Sequence, residues 1–337
     1  AFGMRTFMDK LSDTLGRFGG VYLLPVGVAV LAFVMIGAPS SWLTLTIAGL
    51  SMGMMLFLMA SGLSLVFGLM DVMNFGHSAF ISFGAFISAA VLAGLGTWLG
   101  SDSVLLASAA LGLALLAAIA FGLAAGLFFE TVIIRPVYRD HLRQILITMG
   151  ALIVSEQIIL AVWGGTPITV LRPSFLEGAW IVGDVSMEIY RLFAFGLGAL
   201  VFIGLMLLLN RTRIGLLIRA GVENREMVEA LGFKINRLFI GVFMLGSALA
   251  ALGGAMWAGY ETLITPALGG EMMIVVFIVV IIGGLGSIEG TLLGAIIVGL
   301  TANYVGYLAP KLALASNMIL MMAILMWRPS GLKPAIK

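Results

Sequence analysis

Few side chains in this sequence have types and spacing that could do chemistry, and they fall in three places. The first is Gly68-Leu-Met-Asp-Val-Met-Asn-Phe-Gly-His77, which sets Asp71, Asn74 and His77 between two apolar runs. Asn74 and His77 are three apart, so a helix would carry them on one side. An amide and a neutral imidazole can offer donors and acceptors to a zwitterionic solute without burying a charge. The same pair could instead clamp two helices together. The second place is Glu156, flanked by Ser155 and Gln157 within the apolar run 147–160. A carboxylate at mid-bilayer costs about 2.5–3.5 kcal/mol on insertion scales. Glu156 is therefore expected to face a bundle interior, either toward a solute or against a neighbouring polar group. The third is 210–237, NRTRIGLLIRAGVENREMVEALGFKINR, the longest polar stretch, with six basic and three acidic residues.

Other chemistries are excluded by what is missing. There are no cysteines, so thiolate metal sites and disulfides cannot form. Two histidines, His77 and His141, make no HExxH pair, and no GxxxxGK[ST] occurs. Gly284-x-Gly286-x-x-x-Gly290 looks superficially like a nucleotide loop, but its spacing is wrong and it lacks a βαβ setting. No paired catalytic constellation supports an enzyme.

The elements that must position these residues are membrane helices. Of 337 residues, 61% are hydrophobic and 10% charged, and the mean hydropathy is +1.17. Soluble domains run at about 45–50% and 25%, so a soluble enzyme, a disordered chain and a nucleic-acid-binding domain are all excluded. Ten apolar segments lie near 22–37, 43–70, 77–95, 104–129, 144–163, 189–210, 238–260, 271–283, 291–308 and 313–327. About 20 residues cross a bilayer, so the eighth and tenth are short and the second is too long for one straight span. With ten spans, fifteen basic residues fall on one side and only Arg172, Arg191 and Lys311 on the other. This positive-inside bias predicts cytoplasmic termini. Residues 1–21 read as a cytoplasmic amphipathic helix, with Phe7, Leu11, Leu15 and Phe18 on one face. Residues 22–327 then form the transmembrane domain and 328–337 a cytoplasmic tail.

Forty-four glycines are nearly twice the usual share of about 7%. Pairs such as Gly49/Gly53 and Gly122/Gly126 have the small-xxx-small spacing of closely packed helices. Two stretches are candidate helix breaks or hinges: one around Gly68 and Gly76, the other at Gly283, Gly284, Gly286 and Gly290. One break in each half fits an internal duplication of about five spans. Both could also be ordinary cytoplasmic turns, and for the second a turn is the better reading. In 210–237 the pattern is helical from Ile218 to Leu231, with Val222, Met227, Val228 and Leu231 forming an apolar strip and Gly232 as a stop. This is either a solvated loop or a helix that docks on a soluble partner.

The motif Glu229-Ala230-Leu231-Gly232, with Arg225-Glu226 ahead and Ile235-Asn236-Arg237 behind, resembles the coupling loop of ABC importer permeases. More narrowly, the chain resembles permeases of high-affinity branched-chain amino acid ABC transporters from about Ala48 to Leu325. The resemblance includes residues 62–86, ETVIIRPVYR (130–139), 147–160, the charged loop and GGLGSIEGTLLGAIIVGL (283–300). It implies an inner-membrane pore subunit working by alternating access beside a second homologous permease. Two cytoplasmic ATPases would bind ATP and Mg, a periplasmic or extracellular binding protein would deliver solute, and this chain would carry no cofactor. Arg219, Glu223, Arg225, Glu226, Glu229 and Gly232 would engage an ATPase, while Asn74, His77, Glu156 and Gln157 are pathway candidates. Family members often carry an uncharged amide at the position of Glu156, so this carboxylate is a departure. The family is also associated with urea, short amides and aromatic acids. Outside it, the rival reading is an ion-coupled transporter titrating Glu156 and Asp71. The external loop 164–188, with Glu177, Asp184 and Glu188 against Arg172, is long enough to meet a binding protein.

Overall fold

A computed structural model describes residues 20–334 apart from 102, 139, 224 and 233. Nearly all of the amphipathic helix expected over 1–21, and the last three residues of the tail, lie outside them. Every apolar segment forms a helix, because hydrocarbon offers no other partner for backbone N–H and C=O groups. In chain order these are α1 (Gly20–Ile36), α2 (Pro39–Met70), α3 (His77–Gly94), the short α4 (Gly96–Leu99), α5 (Val104–Phe128) and α6 (His141–Trp163). There follow α7 (Ile189–Arg211), α8 (Arg213–Glu223), α9 (Arg225–Ala230), α10 (Ile235–Glu261), α11 (Leu268–Gly283), α12 (Ile288–Leu308) and α13 (Ala313–Trp327). Seven are long and apolar enough to cross a membrane. The only strands among the described residues are two antiparallel pairs, β1 (Ile168–Thr169) with β4 (Leu263–Ile264) and β2 (Ala179–Val182) with β3 (Val185–Glu188). The protein is an all-α multi-pass membrane protein.

Side-chain contacts fix which connections share an end. Met70, Tyr138, Val228 and Phe239 pack in one cluster, Asp71 faces His141 at 4.0 Å, and Lys333 bonds to Tyr22 at 2.6 Å. This end gathers Arg135, Arg143, Arg211, Arg213, Lys234, Arg237, Arg328 and Lys333. Arg172, Arg191 and Lys311 lie at the other. We call them the basic end and the opposite end.

α10 is the hub. A methyl on Gly62 of α2 would overlap the Gly246 carbonyl of α10, and one on Gly84 of α3 would overlap Ala251. Gly122 and Gly126 of α5 abut Ala248 and Ser247, while Gly49 and Gly53 of α2 abut α12. The small-residue spacing therefore marks real backbone contacts, which compensate for the missing hydrophobic drive between helices in lipid.

The second apolar segment, expected to be interrupted, is one helix. α2 runs for 32 residues, about 48 Å at helical rise, so it overshoots a bilayer core of about 30 Å. It ends where Asp71 turns left-handed at φ 51. The chain then climbs back through 71–76, and α3 begins with His77 against Met59, eleven residues back along α2, or roughly 16 Å above its end. The same device recurs upside down. α10 ends at Thr262, with φ 60, and α11 begins at Leu268 after the same six-residue interval. Asp71 and Thr262 are the two non-glycine residues with positive φ among those described. The counterpart of the first break is thus 262–267, not the glycine run 283–290. That run is a tight turn, capped by Ser287 accepting from the Gly290 N–H and sewn to the tail by Leu332 and Lys333 N–H donating to Ile282 and Gly283 carbonyls. Gly286 touches Gly68 at the end of α2.

Candidate transport pathway and coupling surface

Irregular backbone at membrane depth survives only if its polar groups are satisfied inside the protein. Segment 71–76 meets that condition in part. The Asp71 N–H donates to the Phe67 carbonyl, the Phe75 N–H donates to Thr148 Oγ1 at 3.2 Å, and His77 N–H closes back on Asn74 O. A Cβ on Gly76 would meet the Phe129 ring at 2.8 Å, so a larger residue there must push that ring aside. His77 is buried, and its Nε2–H donates to the Met59 carbonyl at 2.9 Å, pinning the start of α3 to the middle of α2. Asn74 is fully buried, and neither end of its amide has a hydrogen-bond partner. Unsatisfied buried amides are costly, which makes this the least settled polar group of the break. Asp71 itself is exposed at the basic end.

The two re-entrant helices meet at their N-termini. Ser82 Oγ of α3 accepts from the Gly269 N–H of α11 at 2.8 Å, and a methyl at Gly269 would collide with the Ser78 carbonyl and the Ser82 hydroxyl. Glu156 of α6 reaches this crossing, with Oε1 3.1 Å from where a Cβ on Gly270 would stand. It is the sixteenth of 23 residues in α6, about 22 Å above the basic end. A helix N-terminus carries partial positive charge that favours a carboxylate. Glu271 lies in the same first turn of α11 and is exposed, as is Gln157. The structure thus brings Glu156 beside α11, leaves Gln157 exposed, and sets Asn74 and His77 apart as an interior group. The importance of 262–271 was missed in the sequence, although Pro266, Gly269 and Gly270 ahead of an apolar run carried the signal.

At the basic end the charged loop is helical in α8 and α9, on either side of residue 224, where a helical pattern over 218–231 was expected. The apolar strip divides. Val228 is buried against Ile235 and Phe239, and this small core takes in Met70 and Tyr138. Met227 and Leu231 point outward, 58% and 70% exposed. Glu229 is exposed, and Gly232 ends α9 at φ +86. The backbones of Arg219, Glu223, Arg225 and Glu226 lie on α8 and α9. Tyr138, ring to ring with Phe239 at 6.3 Å, donates its hydroxyl to the buried Glu130 at 2.6 Å. Glu130 sits in a π-helical turn, Phe129–Ile134, which leaves it below the bilayer-spanning part of α5. The loop therefore rests directly on the end of α2, beside the Asp71 turn.

At the opposite end Arg172 ties the external loop to α10. Its guanidinium donates to the Gly259 and Tyr260 carbonyls and to Glu188 Oε1 at 2.6 Å, and it lies 4.9 Å over the Tyr190 ring. Arg191 takes the other Glu188 oxygen at 2.9 Å. Of the three loop acids, Glu188 is thus engaged internally, and Glu177 and Asp184 are the exposed ones. The β2–β3 hairpin carries Trp180, Ile181 and Val182 outward.

Residues 45–327 match the family described as branched-chain amino acid transport system / permease component. The chain is 26% identical to the high-affinity branched-chain amino acid transport system permease protein LivH of Escherichia coli K12, over 84% of this chain and 92% of that one. It is 28% identical to the corresponding permease BraD of Pseudomonas aeruginosa, over 84% and 93%. No solved structure matches it.

Proposed function

Since this chain belongs to the branched-chain amino acid transport system permease family, we propose that it is the pore-forming subunit of an ATP-binding-cassette importer for branched-chain or related amino acids. It sits in the bacterial inner membrane with its basic end and both termini in the cytoplasm, as the positive-inside bias requires. A second homologous permease completes the pore, two cytoplasmic ATPases bind ATP and Mg, and a solute-binding protein meets the opposite end at the exposed hairpin, Glu177 and Asp184.

The observation that carries this reading is the packing of α8–α9 on Met70, at the foot of α2. An ATPase that grips Leu231, Met227 and Glu229 pushes through Val228 on Met70 and Tyr138. The force arrives at Asp71, where the chain reverses into the break. α3 hangs from that break and touches α11 at Ser82–Gly269, so a shift at the basic end reaches mid-membrane through two re-entrant helices. Alternating access follows from rocking these half-helices about their crossing. Glu156, beside the N-terminus of α11, is the pathway residue on this account, with Gln157 its neighbour on α6. Asn74 and His77 position the break.

Reconstituting the chain with its partner ATPases and binding protein in proteoliposomes tests this directly. ATP-driven leucine uptake should persist when a protonophore collapses the proton gradient. Uptake that needs the gradient and ignores ATP would instead favour an ion-coupled transporter.

A further inference from the structure

One feature of the bundle has no part in this transport cycle: an apolar groove between α5 and α6, floored by α3. Two overlapping cavities of about 370 and 450 Å³ share Phe83, Phe128, Phe129 and Ile158. The groove runs from Phe121 and Ile158 down to Ile133 and Ile147. That is eleven residues along α6, or about 16 Å, roughly half of a hydrocarbon core of about 30 Å. Its one side-chain hydroxyl, on Ser155, is already committed to the Leu152 carbonyl at 2.6 Å. A zwitterionic solute would find no partner for its ammonium or carboxylate here.

The lower mouth is cationic. Arg143 lies one turn before Ile147, so it shares that face of α6, and it is exposed. Arg143 Nε pairs with Asp140 Oδ2 at 2.9 Å, which leaves the outer edge of its guanidinium for another oxyanion. A hydrocarbon slot about one leaflet deep, ending at a guanidinium group, has the chemistry of a phospholipid site. We propose that the groove seats one acyl chain of an anionic phospholipid from the basic-end leaflet, its phosphate held by Arg143.

Gly150 allows a clean test. Gly150 lines the groove and a Cβ there meets nothing within 4 Å, so Gly150→Trp carries an indole into the groove from a position that accepts a side chain. The full-length chain, purified in mild detergent, is titrated with phosphatidylglycerol or phosphatidylcholine and examined by native mass spectrometry. The wild type should retain one phosphatidylglycerol per chain at least tenfold more tightly than phosphatidylcholine. Gly150→Trp should lose retention while keeping the lipid-free melting temperature of the wild type. Arg143→Gln should still bind lipid but lose the preference for phosphatidylglycerol. Equal retention of both lipids by the wild type, or unchanged retention in Gly150→Trp, would overturn the proposal. So would high-yield cross-linking of Gly150→Cys, in this cysteine-free chain, to the second permease of the assembled transporter.

Discussion

Gly269 is the position at which the crossing of α3 and α11 can be tested most sharply. Replacing it with alanine adds a methyl that collides with the Ser78 carbonyl oxygen and the Ser82 hydroxyl, both on α3. The first is backbone and cannot rotate away, so the two helices must separate. Overpacking of this kind costs about 1–3 kcal/mol. The Ser82–Gly269 hydrogen bond, 2.8 Å long, is stretched at the same time, for about 0.5–1.5 kcal/mol more. Together these give about 1.5–4.5 kcal/mol, against a helix-propensity gain for alanine over glycine of about 0.8–1 kcal/mol. Gly196→Ala in α7 is the control, because its methyl meets nothing within 4 Å and only the gain remains. Thermal unfolding of the purified chain in detergent should show Gly269→Ala melting several degrees below the wild type and Gly196→Ala at or slightly above it. Adding Ser82→Ala should recover only part of the loss, since the Ser78 carbonyl still obstructs. If Gly269→Ala melts with Gly196→Ala, the two N-termini do not meet as described, and the route from the basic end to mid-membrane falls with them.

Three further outcomes follow from the same geometry. His77→Leu leaves the buried Met59 carbonyl without its added donor and should cost about 1–3 kcal/mol, read as a lower melting temperature that His77→Gln partly restores. Arg172→Gln removes the charged donor to two carbonyls at the end of α10 and to Glu188; at about 1.5–3 kcal/mol for a bond to a charged group, the external loop should become protease-sensitive before the bundle unfolds, which limited proteolysis would reveal. Glu156→Gln keeps the shape beside Gly270 and removes the charge, so insertion and melting should hold while the maximal uptake rate or the solute preference changes in proteoliposomes; uptake identical to wild type for a panel of amino acids would remove Glu156 from the pathway.

The spans and their polarity were legible in the sequence because lipid permits little else: apolar runs must become helices, and basic residues must collect at their ends. The glycine pairs were equally readable, since Gly122 and Gly126 sit four apart and touch α10 as that spacing implies. Periodicity failed where tertiary geometry decides. Nothing local says that α2 continues to Met70 and that the chain then re-enters, because Asp71 tolerates a left-handed turn without announcing it. The glycine-rich 283–290 drew attention as the second break, yet glycines there serve a close turn against the tail, while Thr262, a residue rarely left-handed, marks the true counterpart. In the charged loop, helical spacing placed Val228 and Leu231 on one strip, but packing against Ile235 and Phe239 buries the first and leaves the second exposed. That difference separates the residue touching the bundle from the residue open to a partner.

The central claim is that α9 transmits the work of a cytoplasmic ATPase to the foot of α2. Leu231 is exposed and Val228 buried, so Leu231→Glu perturbs docking without disturbing the core, Glu229→Arg perturbs the same surface, and Gly232→Trp perturbs it together with the left-handed end of α9 at φ +86. The decisive measurement is ATP-driven leucine uptake by the reconstituted assembly, with insertion and melting of each variant measured in parallel. The account predicts at least tenfold slower uptake, or loss of the ATPases on purification, in variants that insert and melt like the wild type. Wild-type uptake in all three would contradict it.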